Sequence, residues 1–259
     1  MPNAANLYYF AHEADNFLRP PVILIHGAGG THLSWPPQIR RLHNQRIFAV
    51  DLPGHGKSEG VGHQTIDDYA EHILEFMKAI RLNAAVLVGH SMGSAIALTV
   101  ALRSSKHVSA LGLVGSGSKL RVSPVILQNT SDPSTFMDAV HMVNDFSYSE
   151  NANVRLKEQG EQKLSETRPT VLYGDFLACD AFNVTDQLPK ISAPTLIVCG
   201  TNDKMTPPKY SELLRDNIPN TRLEIVANAG HMVMLEQPEM VANLLADFLN
   251  TIPYQAGQE

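Results

Sequence analysis

The chain has few of the residues that mark several common classes of protein. Only two of its 259 residues are cysteines, Cys179 and Cys199, and they do not form a Cys-x-x-Cys pair. Two cysteines are too few for a disulfide framework, so two free thiols are expected, with a single bridge as the alternative. Internal repeats and low-complexity tracts are also missing. The apolar and charged fractions, 44% and 18%, are those of an ordinary globular protein.

Positive charge is scarce as well. The 20 lysines and arginines are outnumbered by 26 acidic residues and form no basic cluster, which argues against a nucleic-acid partner. No apolar run approaches the roughly 20 residues that cross a bilayer. The segment MPNAANLYYFAHEADNF lacks the charged and apolar regions of a signal peptide. A cytoplasmic location without a membrane partner is therefore expected.

Six short apolar runs predict strands. They are rich in β-branched residues and end in Gly, Asp or Asn: PVILIHG, RIFAVDLPG, AAVLVGH, ALGLVGSG, PTLIVCG and RLEIVANAG. Such runs are typical of a parallel sheet covered by helices on both faces. Helical patterns alternate with them, including Ile66 to Ile80 with Thr65 as N-cap, and PEMVANLLADFLNTI. The predicted fold class is α/β, with a doubly wound, mostly parallel sheet and functional loops at the carboxyl ends of its strands.

The alternation of strands and helices breaks between about residues 119 and 190. This interval contains the helical patterns STFMDAVHMVNDF, ENANVRLKEQGEQKLSE and TVLYGDFLACDAF but no strong strand signal. We therefore predict one sheet domain formed by residues 1–118 and 191–259, with residues 119–190 inserted between two strands as a helical cap. A purely structural subdomain is the alternative.

The segment VLVGHSMGSAIAL places Ser91 between a strand pattern and a helix pattern. It matches Gly-x-Ser-x-Gly, in which the glycines, here Gly89 and Gly93, give clearance on a sharp strand-to-helix turn. In this context Ser91 is predicted to be a nucleophile. The alternative is a serine that caps the following helix.

A serine nucleophile needs a base, usually a histidine oriented by a carboxylate. His231 follows the last strand pattern in ANAGHMVMLEQPE, and Asp203 directly follows PTLIVCG. The order Ser91, Asp203, His231, with each residue placed after a strand, predicts a catalytic triad. For Asp203 the alternative is an Asx turn. Two acids of the insertion, Asp175 and Asp180, are the alternative triad carboxylates.

Backbone amides near the serine are the expected donors to an oxyanion. The glycine-rich segment IHGAGG follows the first strong strand, and its Ala28 N–H, together with the N–H of Met92, is predicted to form the oxyanion hole. A plain glycine-rich turn is the alternative. The segment does not complete Gly-x-Gly-x-x-Gly. DLPGHGKS has Asp51 where a phosphate-binding loop needs glycine, so a structural turn is expected there.

Three other histidines, His26, His55 and His90, lie within glycine-rich turns. Structural hydrogen bonding is expected of them. The remaining histidines fall in helical patterns or loops and are expected to be solvated.

Taken together, HGAGG, DLPGHGKS, GHSMGS, the Asp203 loop and GHMVMLEQP resemble the α/β-hydrolase superfamily, specifically its cap-bearing serine carboxylesterase branch. The resemblance covers essentially the whole chain. It implies hydrolysis of a small-molecule carboxylic ester through an acyl-serine intermediate, with no metal or organic cofactor. Epoxide hydrolases and haloalkane dehalogenases of this superfamily carry an aspartate at the serine position, so Ser91 argues against both.

Other activities share the same skeleton and stay open as alternatives. They are lactone and thioester hydrolysis and the cleavage of C–C bonds in ring-cleavage diketones, while a hydrolase-like small-molecule receptor is the alternative that is not an enzyme. A C–C hydrolase is expected to hold a dicarboxylate with cations, for which the insertion offers Arg121, Arg155 and Arg168. A monomer or a homodimer is expected. Substrate contacts are predicted at Gly27, Phe146, Phe176 and Met232.

Overall fold

The computed structural model describes residues 2–13 and 19–253. The strands are β1 (Asn3–Ala4), β2 (Leu7–His12), β3 (Val22–Ile25), β4 (Ile47–Val50), β5 (Ala85–His90), β6 (Val108–Val114), β7 (Thr195–Gly200) and β8 (Thr221–Val226). They form one sheet in the order β1-β2-β4-β3-β5-β6-β7-β8. Pairing is antiparallel from β1 to β4 along this order and parallel from β4 to β8. The predicted α/β class and mostly parallel sheet are confirmed.

Strands β3 to β8 correspond to the six predicted apolar runs. Every residue of β3, β4, β5 and β7 is buried, as expected for strands covered on both faces. The antiparallel strands β1 and β2 were not predicted. After Leu7, all residues of β2 are only half-buried, so this strand lacks the continuous apolar run that marks the central ones.

The helices outside the insertion are α1 (Pro37–Arg40), α2 (Ile66–Ala79), α3 (Met92–Arg103), α8 (Pro208–Asn217), α9 (Val233–Glu236) and α10 (Pro238–Thr251). Helix α2 begins as predicted, because the Thr65 side chain accepts a hydrogen bond from the backbone N–H of Asp68. Helix α10 matches the last helical pattern of the sequence. Both helices bury one apolar face against the sheet.

Four α-helices lie between β6 and β7: α4 (Pro124–Ser131), α5 (Phe136–Ser147), α6 (Val154–Ser165) and α7 (Pro169–Ala181). We call them the inserted helices. Helices α5, α6 and α7 match the three helical patterns predicted there. The division into a core and a cap stays a prediction, and its core segments include residues 1, 14–18 and 254–259, which lie outside the described residues.

Three apolar clusters form the interior. Two lie on opposite faces of the sheet, and the third belongs mainly to the inserted helices. We call the third the insertion cluster; its buried members are Ile126, Phe136, Val140, Val143, Leu172 and Phe176. Both cysteines are buried free thiols. Within the described ranges, no helix is both long and apolar enough to span a membrane.

Candidate active site

Ser91 occupies a strained turn between β5 and α3. Its φ and ψ of 52° and −115° fall in a region that serine seldom adopts, and its side chain makes no capping hydrogen bond to α3. The flanking glycines are required by packing, since a Cβ at Gly89 would collide with the Gly93 carbonyl and one at Gly93 with the Ile25 carbonyl. Capping therefore does not explain this serine, and such strain typically accompanies a functional role.

Asp203 and His231 form a buried pair after β7 and β8. Asp203 Oδ2 lies 2.9 Å from His231 Nδ1, and the two residues are 4% and 2% exposed. Asp203 Oδ1 accepts hydrogen bonds from the amides of Met205 and Thr206, and Thr206 Oγ1 donates to Oδ2 over 2.8 Å. The carboxylate thus closes an Asx turn and also holds the histidine.

The hydrogen bonds of this pair define its protonation. Burial acts to raise the pKa of Asp203, but the attraction of His231 and the hydrogen bonds from His231 and Thr206 outweigh it and hold the pKa below its ordinary value. An ionised carboxylate only accepts hydrogen bonds, so His231 Nδ1 carries a hydrogen. In the neutral ring, Nε2 is then free to accept a proton.

Shared neighbours connect this pair to the serine turn. The Ser91 N–H donates to the Val114 carbonyl, and a Cβ at the next residue, Gly115, would lie 3.1 Å from His231 Nδ1. His90, beside the serine, donates from Nε2 to the His231 carbonyl over 3.1 Å. In the part of the chain that the structure describes, Ser91 Oγ and His231 share no direct hydrogen bond. Catalytic hydrogen bonds are often long until substrate is bound.

The loop after β3 approaches Ser91 from the opposite side. A Cβ at Gly27 would lie 3.2 Å from Ser91 Cβ. The Leu52 N–H donates to His26 Nε2 over 3.0 Å, so the hydrogen of the neutral ring is on Nδ1, which donates to the Gly27 carbonyl over 2.8 Å. Burial, aided by the nearby charge of His55, lowers the pKa of His26 to about 4, which keeps the ring neutral at pH 7.

These bonds orient the peptide that carries the Ala28 amide. The Gly27 carbonyl also accepts from the Gly30 N–H over 3.0 Å. In a trans peptide the N–H points opposite to the C=O, so the Ala28 N–H points away from these two donors. Met92 is the first residue of α3, and its N–H has no acceptor within the helix. Both predicted oxyanion donors thus belong to segments adjoining Ser91.

The four residues predicted to contact substrate have different surroundings. Gly27 lies against Ser91, and Phe176 belongs to the insertion cluster, which packs against Ala28 and Met205. Phe146, by contrast, is 41% exposed on α5 and lies outside that cluster. Met232 packs against an apolar cluster of the sheet. The structure therefore brings Gly27 and Phe176 towards the serine turn and the Ala28 loop and does not do so for Phe146.

Several polar predictions can be compared with the observed contacts. His26, His55 and His90 are buried and hydrogen-bonded, as expected. His32 was expected to be solvated, and this expectation is wrong. Its Nδ1 lies 2.8 Å from the buried carboxylate of Asp51, which also accepts from the His32 and Lys57 amides. Asp51, which occupies the position where a phosphate-binding loop needs glycine, is thus an acid that stabilises the turn.

Sequence reasoning missed two carboxylates that join the site loops to the insertion. Asp175 on α7 accepts a hydrogen bond from the Gly29 N–H over 2.8 Å, and Glu236 accepts from the Gly230 N–H over 2.8 Å. The sequence offers Asp175 only as an alternative to Asp203, but Asp175 lies against His55, whereas Asp203 lies against His231. One signal was available, since Asp175 sits in the apolar stripe of α7 where an unpaired acid is costly.

The described residues include no group of three or more His, Cys, Asp or Glu side chains arranged to hold a metal ion. The arginines named as possible carboxylate ligands are exposed. Arg121 donates to the Asp180 carbonyl over 2.9 Å, and Arg168 donates to the carbonyls of Gly54 and Gly60.

Comparison with known proteins identifies the family. The model of the alpha/beta hydrolase fold family matches residues 20–238, which is most of the chain. The protein is therefore a member of the alpha/beta hydrolase family.

Individual relatives are similar over nearly the whole chain. A solved structure described as a thermophilic esterase is 31% identical, with a TM-score of 0.81, and the match covers 95% of this chain and 98% of that one. The 3-oxoadipate enol-lactonase 1 of Acinetobacter baylyi is 26% identical over 245 residues, 90% of each protein. An enol-lactonase structure from Burkholderia xenovorans superimposes with a TM-score of 0.89 at 21% identity, covering 96% of this chain and all of that one; at that identity it supports the fold alone.

Proposed function

We propose that this protein hydrolyses carboxylic esters through an acyl-serine intermediate, with Ser91 as nucleophile, His231 as base and Asp203 as the acid that orients it. Membership of the alpha/beta hydrolase family and similarity to an esterase make an ester-hydrolysing enzyme the general class. The observation that carries the finer proposal is the buried Asp203–His231 pair lying against the turn of Ser91.

In the proposed reaction, Ser91 Oγ attacks the ester carbonyl carbon while His231 Nε2 takes the hydroxyl proton. The carbonyl π-bond electrons move to oxygen, which becomes the oxyanion. His231 then gives the proton to the departing alcohol as the C–O bond breaks. Water repeats the sequence on the acyl-serine and releases the acid. Asp203 stabilises the imidazolium that forms in each half-reaction.

The amides of Ala28 and Met92 are the proposed donors to the oxyanion. The Ala28 N–H points away from the two donors that hold the Gly27 carbonyl, and the Met92 N–H has no helical acceptor. Each lies in a segment adjoining Ser91. Donors fixed in advance stabilise the charge that develops in the transition state without reorganising. These steps consist of proton transfer and charge stabilisation, so we propose no metal or organic cofactor.

The acyl group is proposed to be apolar and uncharged. The insertion cluster packs against Ala28 on one side and Met205, two residues after Asp203, on the other, so its apolar surface extends across the site. A C–C hydrolase is expected to bind its dicarboxylate substrate with cations. The cations considered for that role are exposed: Arg121, Arg155 and Arg168. In this view residues 119–190 form a cap that supplies the acyl-binding surface.

The proposal is tested with p-nitrophenyl hexanoate and its hemiglutarate analogue, which carries a carboxylate at the end of the acyl chain. Wild-type protein is expected to favour the hexanoate by about tenfold or more in kcat/KM, because a carboxylate would be desolvated against apolar side chains. Ser91→Ala and Asp203→Asn should each lose about a thousandfold or more in kcat. Asp216→Asn, which alters an exposed acid of α8, is the matched control.

Labelling of Ser91 by a fluorophosphonate, mapped by mass spectrometry, gives an independent readout. If the Ser91→Ala variant kept most of its activity and was still labelled by the fluorophosphonate, the mechanism would be overturned. A preference for the hemiglutarate would overturn the proposed acyl group while leaving the triad intact. Equal or faster turnover of a lactone than of the hexanoate would identify lactones as the substrate class.

A further inference from the structure

A buried polar cluster lies between α7 and the sheet domain, outside the proposed triad. Its centre is Asp175, which is 0% exposed. Asp175 Oδ2 is 2.8 Å from His55 Nε2, and Oδ1 accepts from the Tyr69 hydroxyl over 2.5 Å. These partners precede Asp175 by 120 and 106 residues. The cluster therefore joins the insertion to a loop and to a helix of the sheet domain.

The cluster is an ion pair in which every hydrogen has an acceptor. His55 Nδ1 lies 3.0 Å from the Pro53 carbonyl, which can only accept, while Nε2 faces the carboxylate of Asp175. Burial acts to lower the pKa of His55, but the charge and hydrogen bond of Asp175 and the Pro53 carbonyl outweigh it and raise the pKa above its ordinary value. Both ring nitrogens thus carry hydrogens, and the charges of the pair compensate each other.

The same carboxylate holds the loop that follows β3. Asp175 Oδ2 accepts from the Gly29 N–H over 2.8 Å, and the Thr167 hydroxyl donates to the Gly29 carbonyl over 2.9 Å. The inserted helices and the turn between α6 and α7 therefore bind the peptides on both sides of Gly29. The first of these peptides also contains the carbonyl of Ala28.

Gly29 is also packed tightly against the insertion. Its φ is +63°, and a Cβ there would lie 2.6 Å from Leu164 Cδ1 and 2.9 Å from Leu172 Cδ1. Gly29 thus contacts the inserted helices through packing as well as through hydrogen bonds. On the other side of Ala28, the Gly27 carbonyl is held by His26 and Gly30. Asp175 completes the restraint of the only residue in this loop that is proposed to bind the oxyanion.

We propose that Asp175, paired with His55 and supported by Tyr69, is a positioning residue that holds the Ala28 amide in place for the oxyanion. The inference rests on the proposed function, since it takes Ala28 as an oxyanion donor. It adds that the inserted helices contribute to catalysis through a carboxylate as well as through an apolar surface.

Asp175→Asn removes the charge and keeps the shape. Without that charge, His55 becomes neutral and keeps its hydrogen on Nδ1 for the Pro53 carbonyl, so its Nε2 becomes an acceptor. If the side-chain oxygen takes the place of Oδ2, it accepts from the Gly29 N–H but faces the lone pair of His55 Nε2. If the NH2 group takes that place, it donates to His55 Nε2 but faces the Gly29 N–H. The loop is therefore expected to shift, and displacements of about 1 Å can cost about a hundredfold in rate.

The experiment compares Asp175→Asn with Asp216→Asn, which alters an exposed acid of α8. Asp175→Asn should lower kcat for p-nitrophenyl hexanoate by about tenfold to a hundredfold while KM stays within twofold. The second readout is Ki for an alkyl trifluoromethyl ketone. Ser91 Oγ adds to this ketone, its proton passes to His231, and the ketone oxygen becomes an oxyanion. Ki should rise by the factor by which kcat/KM falls, and Asp216→Asn should resemble wild type.

A purely structural role predicts a different result: thermal stability falls while kcat and Ki of the folded protein stay within twofold of wild type. That result would overturn the inference. If Asp175→Asn does not fold, Tyr69→Phe decides the matter, since it leaves Asp175 in place and removes the donor to Oδ1 together with the acceptor of the His63 N–H. It should lower kcat/KM and raise Ki together by about threefold or more, and no change in either would overturn the inference.

An inactive Ser91→Ala with a fully active Asp175→Asn would refute this inference alone, whereas an active Ser91→Ala would refute the proposed function.

Discussion

The two loops on either side of Ser91 are attached to the inserted helices by different means. On the side of Ala28, the proposed oxyanion donor (the oxyanion side), Gly29 is held by a charge that is completely buried, that of Asp175. On the side of His231, the proposed base (the base side), the Met232 N–H donates to the Ser147 carbonyl over 2.9 Å. Glu236, only half-buried, bridges the amides of Gly230 and Ser149 over 2.8 and 3.1 Å.

This contrast shows which changes each side tolerates. A buried ion pair depends on both partners, because removing one charge changes the ionisation and the hydrogen bonds of the other. Main-chain hydrogen bonds depend on backbone position and little on ionisation. Activity should therefore be sensitive to a change of side-chain charge on the oxyanion side. On the base side it should be sensitive to added volume between backbone segments.

Alanine substitutions at Gly230 and Gly29 test the contrast most strongly. A Cβ at Gly230 would lie 2.6 Å from the Ser149 N atom, so a backbone segment must move. At Gly29 the nearest atoms are flexible leucine ends, and the main cost is the positive φ. Gly230→Ala should lower the free energy of unfolding by about 3 kcal/mol, and Gly29→Ala by about 1 kcal/mol.

Urea denaturation of both variants measures this difference, and activity assays accompany it. We expect Gly230→Ala to lose more than tenfold in kcat, because the backbone beside His231 is displaced. Equal stabilities of the two variants, or a less stable Gly29→Ala, would contradict the assignment of backbone packing to the base side.

Glu236→Gln sharpens the comparison with a smaller effect. Glutamine keeps one oxygen acceptor, so one of the two amides, of Gly230 or of Ser149, then faces an NH2 group. Because the carboxylate is half-buried and water can replace the lost acceptor, we expect only a twofold to fivefold loss of kcat. Steady-state kinetics beside Asp175→Asn provide the measurement. A loss as large as that of Asp175→Asn would remove the distinction between the two sides.

The last expected effect is on the pH dependence of stability. Burial and neighbouring histidines lower the pKa of His26 to about 4 and that of His90 to about 3. Unfolded histidines titrate near 6.5, so the unfolded chain binds more protons between about pH 4 and 6.5. The free energy of unfolding should then fall with decreasing pH, by up to about 1.4 kcal/mol per pH unit for each histidine.

His55 acts in the opposite direction. Its raised pKa contributes stability that is complete below about pH 6.5 and is lost as the pH rises through its folded value. Urea titrations from pH 4.5 to 8 measure both trends. His90→Gln should remove about half of the slope below pH 6.5, and an unchanged slope would show that His90 does not titrate in this way.

The sequence predicted those parts of the molecule that depend on local pattern. Continuous apolar runs identified the six central strands, and the spacing of Ile66 to Ile80 identified α2. The serine turn was recognised because the glycines of GHSMG have a steric reason to be there. The roles of Ser91, Asp203 and His231 stay predictions, which Ser91→Ala and Asp203→Asn test.

The features that were missed depend on contacts between distant segments. Strand β2 is an antiparallel neighbour of β4 and has no apolar run of its own. His32 was expected to be solvated because its burial against Asp51 depends on how two loops pack. The partners of Asp175 come from a turn and a helix more than 100 residues earlier, and no local periodicity encodes such a contact.

The bond between Gly29 and Asp175 also bears on protein synthesis. Asp175 follows Gly29 by 146 residues, so a growing chain can pair β3, β4 and β5 long before the acceptor for the Gly29 amide has left the ribosome. Six of the eight strands, β1 to β6, precede α7, so most of the sheet can be built while the loop beside the serine lacks its final restraint. An enzyme assembled in this order acquires the catalytic loop's geometry only when α7 docks, after most of the chain has been translated.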